Sequence, residues 1–289
     1  MPASRPARRP LPLTWLGVAP FFLFVGLFLL LPTAYIVVGA FRTPQGGFTF
    51  DNILALNTPT ILSAYWVSIK ISFWSALIGC VVGFAIAAAL TVGGLPRSVR
   101  NPMMTFSGVA SNFAGVPLAF AFIATIGPAG IITLYLRSEF GINLRLMGFN
   151  LLSTLGLVIT YLFFQIPLMI LIITPALDGL KREWREAAAI LGATGLQYWR
   201  MVAFPILFPS ILGTMALLFA NAFGAVATAI ALTGPSLNIA PILLYAQIRG
   251  DVLGSPNLGY ALAFGMIVIT GLANALYIVL RARSERWLK

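Results

Sequence analysis

The sequence predicts an all-α membrane protein, a six-span helical bundle, and three observations carry that prediction. Apolar residues make up 60% of the 289-residue chain and charged residues only 9%, well above the apolar share of water-soluble domains. The apolar residues fall in six long runs, each about the ~20 residues needed to cross a hydrocarbon core. Lysine and arginine gather in alternate connections instead of spreading along the chain, the bias that membrane insertion imposes. The formal charge of +11 would suggest nucleic acid in a soluble chain. Here it follows from topology, and no nucleic-acid partner is expected.

A basic tail, residues 1–12 with Arg5, Arg8 and Arg9, precedes a membrane domain over residues 13–280. The first span is placed at 13–41. Its start looks like a secretory signal, but the apolar run outlasts the roughly 7–15 residues of a signal core and has no small-residue cleavage site before Pro32, so it is expected to remain as a helix. The second span is placed at 65–92, with Lys70 close enough to the outer boundary to snorkel. The third and fourth are placed at 103–126 and 151–176, the fifth and sixth at 206–232 and 259–280, followed by a tail over 281–289. The outer segments 127–150 and 233–258 are too long for turns and hold Leu134, Tyr135, Leu243 and Tyr245, which suits short re-entrant or interfacial helices. No linker or repeat divides the chain.

Six spans put both termini on one side. On that side fall Arg97 and Arg100, then Lys181, Arg182, Arg185 and Arg200, and the basic residues of both tails, thirteen in all. Only Arg42, Arg137, Arg145 and Arg249 fall on the other. The termini are therefore expected in the cytosol.

Several chemistries are excluded. The chain has no histidine, and its one cysteine, Cys80, lies inside a span, so no metal site, disulfide or Ser-His-Asp or Cys-His catalysis is expected. Its lysines follow Ile69, Leu180 and Leu288, so no Gly-x-x-x-x-Gly-Lys-Ser/Thr phosphate loop exists. All seven acidic residues lie outside the spans, which removes the usual proton or sodium relay of a self-powered carrier. The chain reads as a non-enzyme with no cofactor of its own, driven from elsewhere.

Inside the spans the polar residues are few. Asn112, Gln165, Asn221 and Thr228 are the candidates for a solute path, with Asn274 a further buried amide. Each must be satisfied within the bundle or face a water-filled cavity, and interhelical glue is the alternative for every one of them. The fifth span also carries Gly213, Ala216, Ala220, Gly224 and Ala227 at helical spacing, read as a close-packing stripe.

The polar insert between the fourth and fifth spans, residues 177–205, is the chain's most distinctive feature. Good helix formers run from Arg182 to Leu191, Gly192 is a natural stop, and Thr194 can cap a second helix that runs until Pro205. The product is a cytosolic helix-turn-helix elbow, with Ala187 and Ala188 as a smooth face beside Arg185 and Glu186. An interfacial hairpin that merely joins two spans would share its amphipathic character.

Glu186-Ala187-Ala188, three residues, Gly192, nine residues, then Val202-x-Phe204-Pro205 resembles the Glu-Ala-Ala signature of permease subunits in binding-protein-dependent ABC importers. Val202 and Phe204 stand where that pattern has Ile and Leu. The resemblance covers nearly the whole chain, including Pro209, and implies the six-span fold of type I importer permeases in a bacterial inner membrane. It further implies that the loop is a coupling helix seated in a groove of an ATP-binding subunit dimer, which uses ATP and Mg. The other implied partners are a second permease, identical or homologous, and an extracytoplasmic solute-binding protein. Phe48-Thr49-Phe50-Asp51-Asn52 and Pro205-x-x-x-Pro209-Ser210-Ile211 are most similar to the polyamine subgroup, with ferric iron and phosphonate importers as near relatives.

Overall fold

The computed structural model describes residues 14–249 and 257–285, without the side chains of 14–16, 249 and 283–285. The tail 1–12, Asp251, and the end of the C-terminal tail with Arg286 and Lys289 lie outside the described residues. Among those described, regular structure is helical apart from one antiparallel bridge, Arg42 to Phe48.

The helices are α1 (Thr14–Val25), α2 (Leu31–Ala40), α3 (Asp51–Leu54), α4 (Pro59–Thr91), α5 (Arg97–Ala110), α6 (Gly115–Ile126), α7 (Ile131–Phe140) and α8 (Thr154–Asp178). There follow α9 (Arg182–Ile190), α10 (Gly195–Tyr198), α11 (Phe204–Phe223), α12 (Val226–Thr233), α13 (Ala240–Arg249) and α14 (Leu258–Glu285). Six stretches are long and apolar enough to cross a membrane: Gly17–Ala40, Pro59–Thr91, Gly115–Phe140, Thr154–Asp178, Gly195–Phe223 and Leu258–Ala282. The segments 127–150 and 233–258 contain helices: α7, which lies within the stretch Gly115–Phe140, and α13, which meets α12 at 84°.

Two spans depart from expectation. The third is not a helix over 103–126: α5 ends at Ala110, the chain turns through 111–114, and α6 restarts at Gly115. Helix α5 is amphipathic: Arg97, Ser98 and Asn101 are exposed, while the half-buried Met103 and Met104 pack against the core. Arg100 grips Asp178, at the last turn of α8, at 2.7 Å. The apolar count over 103–126 thus joined half of a surface helix to half of a span. The fifth span is likewise not one helix over 206–232. It begins at Gly195 and breaks at Gly224–Ala225, which separates Gly224 and Ala227 from the stripe that starts at Gly213.

Prolines shape two spans without stopping them. Five-residue π turns at Gly26–Leu30 and Trp199–Ala203 each end two residues before a proline, Pro32 and Pro205. Proline has no N–H for the i−4 carbonyl and its ring crowds that carbonyl, and a wider turn relieves both problems. The second helix of the elbow therefore does not end at Pro205 but continues into α11.

The chain forms two compact units. One contains residues up to Leu56 with Leu253–Phe264. In it Phe41 meets Phe48, Phe50 and Phe264 at ring separations of 6.1, 5.8 and 5.1 Å. The Asn52 amide donates to the carbonyls of Ala40 and Arg42, at 3.1 and 2.8 Å. Thr49 and Asp51 bond each other, so the segment Phe48–Asn52 acts as a clip that closes the end of α2.

The other unit contains Asn57–Val252 and Gly265–Lys289. Its main seam joins α4 to α8. Gly79 and Gly83 form a small-xxx-small pair, and a Cβ at Gly83 would lie 2.6 Å from Met169 Cβ and 2.8 Å from the Ile166 carbonyl, so the backbones touch as only glycine allows. Around the seam, Cys80, Ala87, Leu90, Ile170, Ile173 and Leu207 are buried. A second cluster packs Leu157, Val158 and Phe164 of α8 against Leu118 of α6 and Ala229 and Leu232 of α12.

Candidate functional site

Two places carry functional geometry: the polar elbow and a cleft where two spans break. In the elbow, α9 ends at Gly192, whose φ of +78° is left-handed backbone that a side chain strains. Gly192 N–H donates to Ala189 O at 3.0 Å and Ala193 N–H to Ala188 O at 2.9 Å, which satisfies the last carbonyls of the helix. Thr194 and Gln197 then form a reciprocal capping box, with Gln197 N–H on Thr194 Oγ1 at 3.3 Å and Thr194 N–H on Gln197 Oε1 at 2.7 Å. Turn and cap together fix the angle between the two arms.

The signature residues lie on the open side of this elbow. Arg185, Glu186 and Ala187 are exposed and Ala188 is half-buried. Glu186 Oε1 receives Arg182 Nε at 2.8 Å, so its charge is held in place one turn along the helix. Pro205 is exposed at the start of α11. Beyond the signature stands a group that sequence reasoning missed: Ile190, Leu191, Leu196 and Met201 are 87, 86, 79 and 73% exposed. These are bare apolar side chains on both arms of the elbow, two before Gly192 and two after it. For Ile190, Leu191 and Leu196 the signal was visible in the sequence as large apolar residues close to the Gly192 turn.

The cleft has a volume of about 380 Å3 and is lined by the α5–α6 turn (Ser111, Ala114, Gly115), Phe164 of α8, and the α11–α12 break from Asn221 to Thr228. The two breaks are tied to each other. Gly115 adopts φ +74° and its N–H donates to Thr228 Oγ1 at 2.7 Å. From α8 the Tyr161 hydroxyl donates to Ala225 O at 3.0 Å. Unpaired backbone groups inside a membrane cost several kcal/mol each, on the order of the apolar transfer cost of an amide. These side chains are what makes the broken backbone tolerable.

The four candidate path residues thus divide. Asn221 lines the cleft and is exposed, and Thr228 lines it while buried by its bond to Gly115. Asn112 does not line it: its amide folds back onto Gly108 O at 3.0 Å, and Ser111 takes the wall position instead. Gln165 is sealed inside the bundle, where it donates to Leu218 O at 3.0 Å, and a Cβ on Gly79 would come within 2.9 Å of its own Cβ. Asn112 and Gln165 are therefore helix-end and interhelix residues in this structure. Among the described residues no cluster of His, Cys, Asp or Glu is suited to a metal.

A six-span helical bundle with an exposed elbow after the fourth span and a mid-span cleft is the architecture of a transport permease. Residues 82–289 match the family of binding-protein-dependent transport system inner membrane components, and the chain belongs to that family. It is a permease subunit of an ABC importer. Sulfate transport system permease protein CysT of Salmonella typhimurium is 29% identical over 236 residues, covering 79% of this chain and 78% of that protein. PhnU of Salmonella choleraesuis, whose name assigns it to 2-aminoethylphosphonate transport, is 28% identical over 254 residues, covering 86% and 85%. A bacterial ABC transporter that imports the acidic polysaccharide alginate shares the fold over 96% of each chain, with a TM-score of 0.67 at 16% identity. These relatives do not support the polyamine leaning taken from residues 48–52 and 205–211, the first of which the structure shows as a clip in which Asn52 bonds Ala40 and Arg42.

Proposed function

We propose that this chain forms half of the path of an ATP-driven importer for a small tetrahedral oxyanion, sulfate or a phosphonate. The observation that carries the reading is the lining of the cleft: hydroxyl, amide and main-chain groups from two helix breaks, with no carboxylate. In such a wall the Asn221 amide and the Thr228 hydroxyl can donate to an anion, and a polycation meets no counter-charge. The named substrates of CysT and PhnU support the same choice.

In this reading the elbow over residues 177–205 docks on an ATP-binding subunit dimer, where ATP and Mg are used, and passes its closure into α11. Because α10, the π turn and α11 are continuous, a tilt of the elbow moves Asn221 and the break at Gly224 directly. A second permease supplies the facing wall, an extracytoplasmic binding protein delivers the solute, and both termini lie in the cytosol by the bias of basic residues.

The test is uptake into proteoliposomes holding the chain with its ATP-binding subunit and binding protein. Labelled sulfate or 2-aminoethylphosphonate should accumulate only with internal ATP. Uptake of spermidine in place of either anion, or uptake indifferent to ATP, would overturn the proposal.

A further inference from the structure

Helix α4 carries one row of side chains at four-residue spacing on the face it turns away from α8: Trp66, Lys70, Trp74, Ile78 and Val82. All five are exposed. Residues four apart lie above one another on a helix, so this is a continuous stripe. Its single charge, the Lys70 ammonium, sits 5.1 Å from the centre of the Trp66 ring. The two ion pairs among the described residues are Arg100–Asp178 and Arg182–Glu186, so no carboxylate pairs with Lys70.

Depth explains the arrangement. Lys70 lies 21 positions before the end of α4 at Thr91, about 31 Å of helix and close to one hydrocarbon thickness. Arg97 and Arg100 follow just beyond that end, so the lysine stands at the opposite headgroup level. Above it the helix leaves the hydrocarbon, and Thr60 O and Ser63 Oγ accept from the Asn238 amide. Below it Trp74, Ile78 and Val82 offer only apolar surface.

We infer that the Trp66-Lys70-Trp74 row of α4 is a binding site for a phospholipid of net negative headgroup. The ammonium meets the phosphate, the two indoles flank it at interfacial depth, and an acyl chain runs over Ile78 and Val82. A free oxyanion would leave the lower half of the row uncovered. A second copy of the row would bring another ammonium to Lys70 and no carboxylate, since the row has none.

The probes are phosphatidylglycerol and phosphatidylethanolamine bearing brominated chains, mixed into nanodiscs around the full chain. Brominated phosphatidylglycerol should quench tryptophan fluorescence at a lower mole fraction than its ethanolamine counterpart, and Lys70→Gln should raise that fraction about fivefold, as expected for one cation at a membrane surface. Lys70→Arg should restore the parental value, because guanidinium also binds phosphate. Equal quenching by both lipids in the parental chain overturns the proposal without any variant being needed. So does a Lys70→Gln chain that still prefers phosphatidylglycerol, or a Trp74→Cys chain, with Cys80 replaced by Ala, that cross-links to a second permease.

Discussion

The α4–α8 seam and the α6–α12 contact join helices of the same bundle, yet they are built in opposite ways. At the seam, glycines at positions 79 and 83 bring two continuous helices into backbone contact. At the other contact both partners are broken, and backbone groups are satisfied from outside by Thr228 and Tyr161. The seam leaves no space, whereas the breaks open a cleft of about 380 Å3. A membrane protein gains rigidity where it packs backbone on backbone. It gains a polar surface only where helices stop, because an intact helix hides its amides.

The largest effect should come from forcing the seam. Gly83→Leu puts a side chain where even a Cβ lies 2.6 Å from Met169 and 2.8 Å from a carbonyl, and overpacking of this kind costs about 3 kcal/mol. Thermal unfolding in detergent should show a clear fall in midpoint; an unchanged midpoint would mean that the backbones are not in contact. Next comes Thr228→Val, which leaves the Gly115 N–H unpaired at a cost of about 1–3 kcal/mol. Thr228→Ser should restore stability, and failure of that rescue would show that the methyl group, not the hydroxyl, holds the breaks together.

A smaller effect on stability, with a larger one on coupling, is expected at the elbow. Gly192→Val imposes left-handed backbone on a β-branched residue, costing about 1–2 kcal/mol. ATP hydrolysis should continue while uptake falls, measured at equal membrane abundance; parental uptake would reduce the elbow to a connector. The smallest change in stability should follow Asn221→Leu. That residue is exposed on the cleft wall, so stability should change by no more than about 0.5 kcal/mol. Uptake should nevertheless drop. Intact uptake would separate the cleft from the path.

Local chemistry made much of this legible in the chain. Gly192 as a stop and Thr194 as a cap appear at the expected turn, because a positive φ and a capping box depend on neighbours within four residues. The Gly79-x-x-x-Gly83 pair was equally local but is one of several small-residue runs. The Gly213 stripe looked the better candidate, yet Gly213 meets Tyr277 at ordinary contact distance, while a Cβ at Gly79 or Gly83 would lie 2.9 or 2.6 Å from a Cβ of α8. Asn112 and Gln165 were ambiguous for a different reason. An amide in an apolar run must find a partner, and nothing in the run says whether that partner is water, a solute or the carbonyl of Leu218.

Composition and charge order by themselves determined the solvent, the six crossings, the elbow and its family, since each depends on transfer free energies and on residues close in sequence. Where the third and fifth spans break was decided by the tertiary structure. Polar residues are isolated or paired within 103–126 and 206–232 and mean hydropathy stays high, so hydropathy predicts continuous helix there. A break inside a membrane is stable only if a distant residue pairs the exposed backbone, and the partners here lie far along the chain: Thr228 for Gly115 and Tyr161 for Ala225.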